Sequence, residues 1–267
     1  MVIRTVIYIA VFVLLLVLYV KHLETRMVFF PSPEVSFTPR DAGLEYEDIT
    51  MLTADGIRLN GWFIRHPEAA FTLLFFHGNG GNISDRVDKL ALLHSLKVDV
   101  LIIDYRGYGL SQGKPSEQGL YRDAGAAYRF LRDTRDIPQE KIVAYGESLG
   151  AAVSLHLAAR EPLAGVVLEG AFSSGEDMGR ILFPVIPPVF WKRKYDSYET
   201  IRSVNAPLLF LHSPTDEIVP YSQARKLFER ARGEKYFVEL EGGHNTLYFD
   251  SRAPYLRALD EFLKALQ

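Results

Sequence analysis

From residue 71 onward short apolar runs alternate with stretches of helical periodicity, and no other feature constrains the fold of this chain so tightly. The runs are Phe71 to Phe76, Val100 to Ile103, Ile142 to Tyr145, Val166 to Leu168, Leu208 to Leu211 and Tyr236 to Leu240. Between and after them lie Ser84 to Leu96, Ser116 to Thr134, Leu149 to Arg160, Tyr221 to Ala231 and Pro254 to Leu266, whose apolar residues recur at three and four. A strand that is apolar on both sides has to be covered on both faces. The pattern therefore predicts an α/β fold, a mostly parallel sheet flanked by helices. Upstream, Glu45 to Thr53 and Ile57 to Arg65 read as two strands around the turn Ala54-Asp55-Gly56, a hairpin that would form an antiparallel edge.

Two segments fall outside this rhythm. Val6 to Val20 is fifteen residues without a charge, extended past Arg4 by Val2 and Ile3. As a helix the stretch from Val2 would cover about 28 Å at 1.5 Å per residue, against a hydrocarbon core of roughly 30 Å. No small-x-small cleavage site follows it, so the reading is an uncleaved transmembrane anchor over residues 1–26 and a membrane location, with the rest of the chain, 27–267, as the folded domain. Arg4 on one side and Lys21 and Arg26 on the other leave its orientation open.

The second segment is about 175–203, where the alternation predicts one helix but Pro184, Pro187 and Pro188 break the run. It reads as a small cap insertion over the strand ends. Its apolar residues, Phe183 to Trp191, precede the basic triplet Lys192-Arg193-Lys194, which raises the further expectation that the cap meets lipid and admits acyl chains.

Composition excludes several chemistries. No cysteine is present, which removes disulfides, Fe–S clusters, Cys-type zinc sites and thiol nucleophiles. With 30 Lys+Arg against 33 Asp+Glu the chain is a poor nucleic-acid binder.

The strongest motif is Gly146-Glu147-Ser148-Leu149-Gly150, directly after an apolar strand and before an alanine-rich helix. A serine on such a turn is held in a strained backbone that presents its Oγ, and the glycines let strand and helix approach. A serine hydroxyl needs a base, and the base needs an orienting acid. Three histidines lie downstream: His156 within a helix, His212 closing a strand, and His244 in the glycine-rich loop Glu241-Gly242-Gly243-His244-Asn245 after the last strand. His244 is the expected base. Asp216, in the loop after Leu208 to Leu211, is the expected acid; Glu217 beside it reads as a solvated or capping carboxylate, and Glu169 at the end of the previous strand is an alternative. The oxyanion hole is expected from the backbone N–H of Leu149 and that of Asn79, in the loop His77-Gly78-Asn79-Gly80-Gly81-Asn82. His77 reads as a support for that loop.

These residues carry a resemblance. The chain is similar to α/β-hydrolases of the Bem46 or ABHD13-like group, relatives of the ABHD17-type depalmitoylases. The likeness runs from about Phe29 onward and rests on Phe29-Phe30-Pro31-Ser32, the His77 loop, Asp104-Tyr105-Arg106-Gly107-Tyr108-Gly109-Leu110-Ser111, the serine elbow, Asp216-Glu217-Ile218-Val219-Pro220 and Gly242-Gly243-His244. It implies the α/β-hydrolase fold, the triad Ser148, Asp216 and His244, an amino-terminal anchor as is common in that group, and a structural role for Asp104 and Arg106. The group typically has a small residue where Gly80 stands. The expectation is a membrane-anchored serine hydrolase that cleaves carboxylic esters or thioesters of small-molecule or lipid acyl substrates without a metal, nucleotide or redox cofactor. A serine amidase or peptidase, and a silent membrane-tethered binding protein, are the alternatives.

Overall fold

Eight strands pair into one sheet in the order β8-β7-β6-β5-β3-β4-β2-β1. The strands are β1 (Glu47–Leu52), β2 (Arg58–Ile64), β3 (Thr72–Phe76), β4 (Asp99–Ile103), β5 (Ile142–Glu147), β6 (Gly165–Glu169), β7 (Leu208–His212) and β8 (Lys235–Glu239). The computed structural model describes residues 4–5, 7–9, 11–12, 15, 27–185 and 194–267. It comprises two units, Met1–Phe30 and Pro31–Gln267, and the sheet belongs to the second.

The sheet is parallel from β8 to β4 and antiparallel from β4 to β1. The hairpin β1–β2 is therefore the antiparallel edge that the Asp55-Gly56 turn predicts. Gly56 takes φ 79°, and Thr53 N–H meets the Ile57 carbonyl at 2.9 Å to close the turn. Every residue of β3, β6 and β7 is buried, whereas β1 buries only Ile49 and Met51. That difference is what continuous and alternating apolar patterns require of central and edge strands.

The helices of eight residues or more, among the described residues, are α1 (Val87–His94), α2 (Glu117–Arg129), α3 (Leu149–Ala158), α4 (Gly175–Leu182), α5 (Tyr221–Arg230) and α6 (Arg252–Ala265). On one face of the sheet Leu73, Phe75, Val100, Ile102, Val143, Tyr145 and Val167 share a core with Leu90 and Leu93 of α1 and with Tyr255, Leu259 and Phe262 of α6. On the other face α3 packs on β3, β5 and β6, with α2 beside it and α5 against β7. Two expected helices are shorter than their periodicity. The first begins with a 3₁₀ turn at Ile83–Arg86, capped by Asn82 Oδ1, which accepts the Ser84 N–H at 2.8 Å. The second gives way after Arg129 to a π-helical turn at Phe130–Thr134.

The connection after β4 is tied down by charge. The Arg106 guanidinium reaches Asp123 of α2 at 2.8 Å and Asp55 of the hairpin turn at 2.9 Å. Asp104 Oδ1 accepts the Ile83 N–H at 3.0 Å, which joins the end of β4 to the loop after β3. Both residues hold the loops that border the carboxyl ends of the strands.

The expectation of a transmembrane helix, and with it a membrane location, is corrected here. Among the described residues no helix is long and apolar enough to cross a membrane. A span needs about 20 consecutive apolar helical residues, and before residue 27 the longest run of described helical residues is three, 7–9. The rest of the apolar stretch lies outside the described residues. So do residues 186–193, which include Phe190, Trp191, Lys192 and Arg193, on which the lipid-facing reading of the cap depends.

Candidate active site

Ser148 stands on the turn from β5 into α3 with φ 54° and ψ −113°. An L-residue keeps such a backbone only where its surroundings over-determine it. Two bonds do so: its N–H donates to the Glu169 carbonyl at 2.8 Å, and its own carbonyl accepts the Ala151 N–H at 2.9 Å. The flanking glycines are required by space. A Cβ on Gly150 would run into the Phe76 carbonyl, whose carbon would be 2.6 Å away, and one on Gly146 would lie 2.6 Å from the Ala151 Cα. Leu149 is the first residue of α3, where backbone N–H groups have no acceptor within the helix.

The loop after β3 passes beside Ser148. A Cβ on Gly78 would sit 3.7 Å from that of Ser148. Tyr105 and Tyr108 donate their hydroxyls to the carbonyls of His77 (2.9 Å) and Asn79 (2.8 Å), so this backbone is held from beneath. His77 is fully buried and donates from Nδ1 to the Gly78 carbonyl at 2.7 Å. Burial, followed by the charge of Arg86, pushes its pKa down to about 3, which leaves it a neutral support.

His244, in the loop after β8, places Nδ1 2.7 Å from Oδ2 of Asp216. The other carboxylate oxygen, Oδ1, accepts the N–H groups of Ile218 (2.9 Å) and Val219 (2.7 Å), which turns Oδ2 toward the ring. A Cβ on Gly170 would lie 2.8 Å from His244 Cε1. Gly170 follows Glu169, whose carbonyl holds the Ser148 N–H, so serine and histidine border the same two residues at the end of β6.

Burial works against a charge on His244. The Asp216 carboxylate outweighs it by hydrogen bond and by charge, with Glu147 and Glu169 adding to the same side, and the imidazole pKa is raised. For Asp216 burial opposes ionisation, but the His244 bond, its charge and the two N–H donors hold the carboxyl below its usual range. The pair is arranged to carry a positive imidazole against a negative carboxylate.

The other candidates are committed to other partners. Glu169 is turned away from His244 onto Lys89, at 2.9 Å, and onto the hydroxyls of Tyr145 and Tyr255. His212 bonds through Nε2 to the Val219 carbonyl at 2.9 Å and lies 3.5 Å from Asp216 Oδ2, and burial lowers its pKa. His156 stacks on the Tyr121 ring with centroids 3.5 Å apart, and burial followed by Arg160 brings its pKa to about 4. Glu217 does more than meet solvent: its Oε2 accepts the His244 N–H at 3.0 Å and so fixes the histidine loop. Lys89, buried beside Glu147 and Glu169, went unread as well; the one sequence signal for it is a lysine preceding Leu90-Ala91-Leu92-Leu93 in an apolar helix. Among the described residues no group of three or more His, Cys, Asp or Glu side chains is placed to hold a metal ion.

A family model described as the alpha/beta hydrolase fold matches residues 72–185. The protein Bem46 of Schizosaccharomyces pombe is 38% identical over 201 residues, covering 72% of this chain and 67% of that one. The human alpha/beta hydrolase domain-containing protein 17B is 33% identical over 214 residues, 79% of this chain and 73% of that one. Among solved structures the Pyrococcus furiosus esterase Pf2001 superposes with a TM-score of 0.76 at 21% identity, over 89% of this chain and 98% of that chain, a likeness of fold.

Proposed function

The chain belongs to the α/β-hydrolase family, which supports a hydrolase function, and from that premise we propose that it is a serine hydrolase cleaving carboxylic esters or thioesters of small acyl substrates through an acyl-enzyme. The observation that carries this reading is the 2.7 Å bond from His244 to Asp216 at the same carboxyl edge of the sheet as the strained Ser148.

In the proposed mechanism Ser148 Oγ attacks the acyl carbonyl and passes its proton to Nε2 of His244, the nitrogen not committed to Asp216. Asp216 fixes the tautomer and stabilises the imidazolium. The N–H groups of Leu149 and Asn79 take up the charge that develops on the carbonyl oxygen. The imidazolium then protonates the leaving alcohol or thiol. In the second half His244 draws a proton from water, which attacks the acyl-enzyme, and the imidazolium returns that proton to Ser148 Oγ as the acid leaves.

Covalent reaction with a fluorophosphonate tests the activated serine, and a graded panel of acyl esters, thioesters and amides tests the substrate class. The full chain should label, and Ser148→Ala should not. Labelling that survives Ser148→Ala would reject the nucleophile, and turnover confined to amides would reject the substrate class.

A further inference from the structure

Beneath the serine turn lies a buried ion cluster that the proposed mechanism does not use. Glu147 and Glu169 end the neighbouring parallel strands β5 and β6 directly opposite each other. Two carboxylates placed side by side on adjacent strands repel. Lys89, 4% exposed, projects between them from α1, with Nζ 2.5 Å from Glu147 and 2.9 Å from Glu169. Arg86 adds a contact to Glu147 at 3.3 Å, so two positive groups face two negative ones. Tyr145 and Tyr255 donate their hydroxyls to Glu169, and the Tyr248 ring lies 4.7 Å from the ammonium.

Each member reaches a part of the site. Glu147 precedes Ser148 in the chain, and a Cβ on Gly78 of the oxyanion loop would lie 3.2 Å from its Oε1. Glu169 offers the carbonyl that holds the Ser148 N–H, and the next residue, Gly170, abuts His244. Burial disfavours the ammonium, but the two carboxylates outweigh it and raise the Lys89 pKa. A buried ion cluster of this kind adds little net stability compared with apolar packing of the same volume. What it supplies here is a fixed distance between two strand ends.

Resting on the serine-hydrolase reading, we propose that Lys89, through Glu147 and Glu169, is a positioning residue that holds the Ser148 turn and the Gly78 loop in register with His244. A displacement of about 1 Å at a reacting centre costs on the order of 10²-fold in rate. Loss of the lysine therefore lowers kcat while leaving the pocket's affinity in place.

The test compares the full chain with Lys89→Met, Glu147→Gln, the double variant Lys89→Met/Glu147→Gln and Lys89→Arg. A short-chain p-nitrophenyl ester gives kcat and KM, a fluorophosphonate gives the rate of serine labelling, and thermal melting gives Tm. Each of the first two variants leaves an unbalanced buried charge and is expected to lower Tm, with kcat and labelling rate down roughly 10- to 100-fold and KM within about twofold. The double variant restores the cluster's net charge but leaves Glu169 without the cation it contacts, and is expected to regain part of the lost Tm without regaining kcat. Lys89→Arg keeps the charge but moves the nitrogens, and is expected to keep Tm and still lose kcat. Recovery of kcat together with Tm in the double variant, or an unchanged kcat in Lys89→Arg, would overturn the proposal and leave the cluster a structural one. A full chain that fails to label strikes at the serine-hydrolase reading instead.

Discussion

Nδ1 of His244 and Oδ2 of Asp216 lie 2.7 Å apart, although 28 positions separate them in the chain and they belong to loops after different strands. β7 and β8 are parallel neighbours, so both loops leave the same edge of the sheet and the contact follows from topology. A base held in this way has a definite pH signature. Asp216 raises the imidazole pKa above its ordinary value near 6.5, and His244 has to be neutral to accept the serine proton. Turnover should therefore fall on the acid side with an apparent pKa above about 6.5. Asp216→Asn should cost about 10⁴ in kcat and shift the residual acid limb downward, because the group that raises the pKa is gone. An initial-rate profile from pH 5 to 9 on both proteins checks it; an acid limb that does not move in Asp216→Asn counts against the pair.

Ser148 offers a stability test that is independent of substrate. Its φ of 54° costs an L-residue on the order of 1–3 kcal/mol, and glycine escapes most of that cost. Ser148→Gly should melt higher than the wild type while losing activity on the order of 10⁶-fold. A lower melting temperature would mean that the turn carries no stored strain.

Asp104 is fully buried; its Oδ2 has no hydrogen-bond partner among the described residues, and Nε2 of the neighbouring His77 is 3.7 Å from Oδ1. Burial, only partly offset by the Ile83 N–H and Arg86, raises its pKa to about 7. The folded state then holds a proton that the unfolded chain has released. Stability should fall as pH rises from the unfolded value near 4 and level off above about 7. Asp104→Asn lacks this titration. Denaturant unfolding should show the variant gaining on the wild type between pH 4 and pH 8, and parallel curves would refute the buried titration.

The glycines of the site should separate sharply. Gly150→Ala places a methyl group into the Phe76 carbonyl, a backbone group that cannot turn aside, and should cost about 1–3 kcal/mol or more. Gly80 has nothing within 4 Å of where a Cβ would stand. Gly80→Ala should stay within about 0.5 kcal/mol of the wild type. Thermal melts of the two variants against the parent provide the comparison.

The sheet and the serine turn were legible because each rests on local pattern. Continuous apolar runs specify central strands, and Gly146 and Gly150 specify a close crossing whatever lies around them. Glu217 and Lys89 were not legible. A carboxylate in an exposed-looking loop and a lysine in a helix have solvated readings by default, and only the arrival of residues 27 and 58 positions away gives them partners. The amino-terminal run failed for a different reason. Apolarity sets what a segment costs to leave in water and says nothing of its partners, and among the described residues no helix is long and apolar enough to cross a membrane. Helix ends were also blurred, since Phe130–Thr134 keeps helical periodicity while changing its hydrogen bonding.

The order of the strands also sets an order in time. Translation delivers Ser148 and its turn well before His244, and β8, the strand that leads to the histidine, is the outermost on its side of the sheet. A nascent chain can thus form the Ser148 turn before His244 is available to stand beside it. On the serine-hydrolase reading, acyl transfer waits for the last strand to dock, and a chain that ends within α5 lacks both the base and the α6 side chains Tyr255, Leu259 and Phe262 that complete one face of the core.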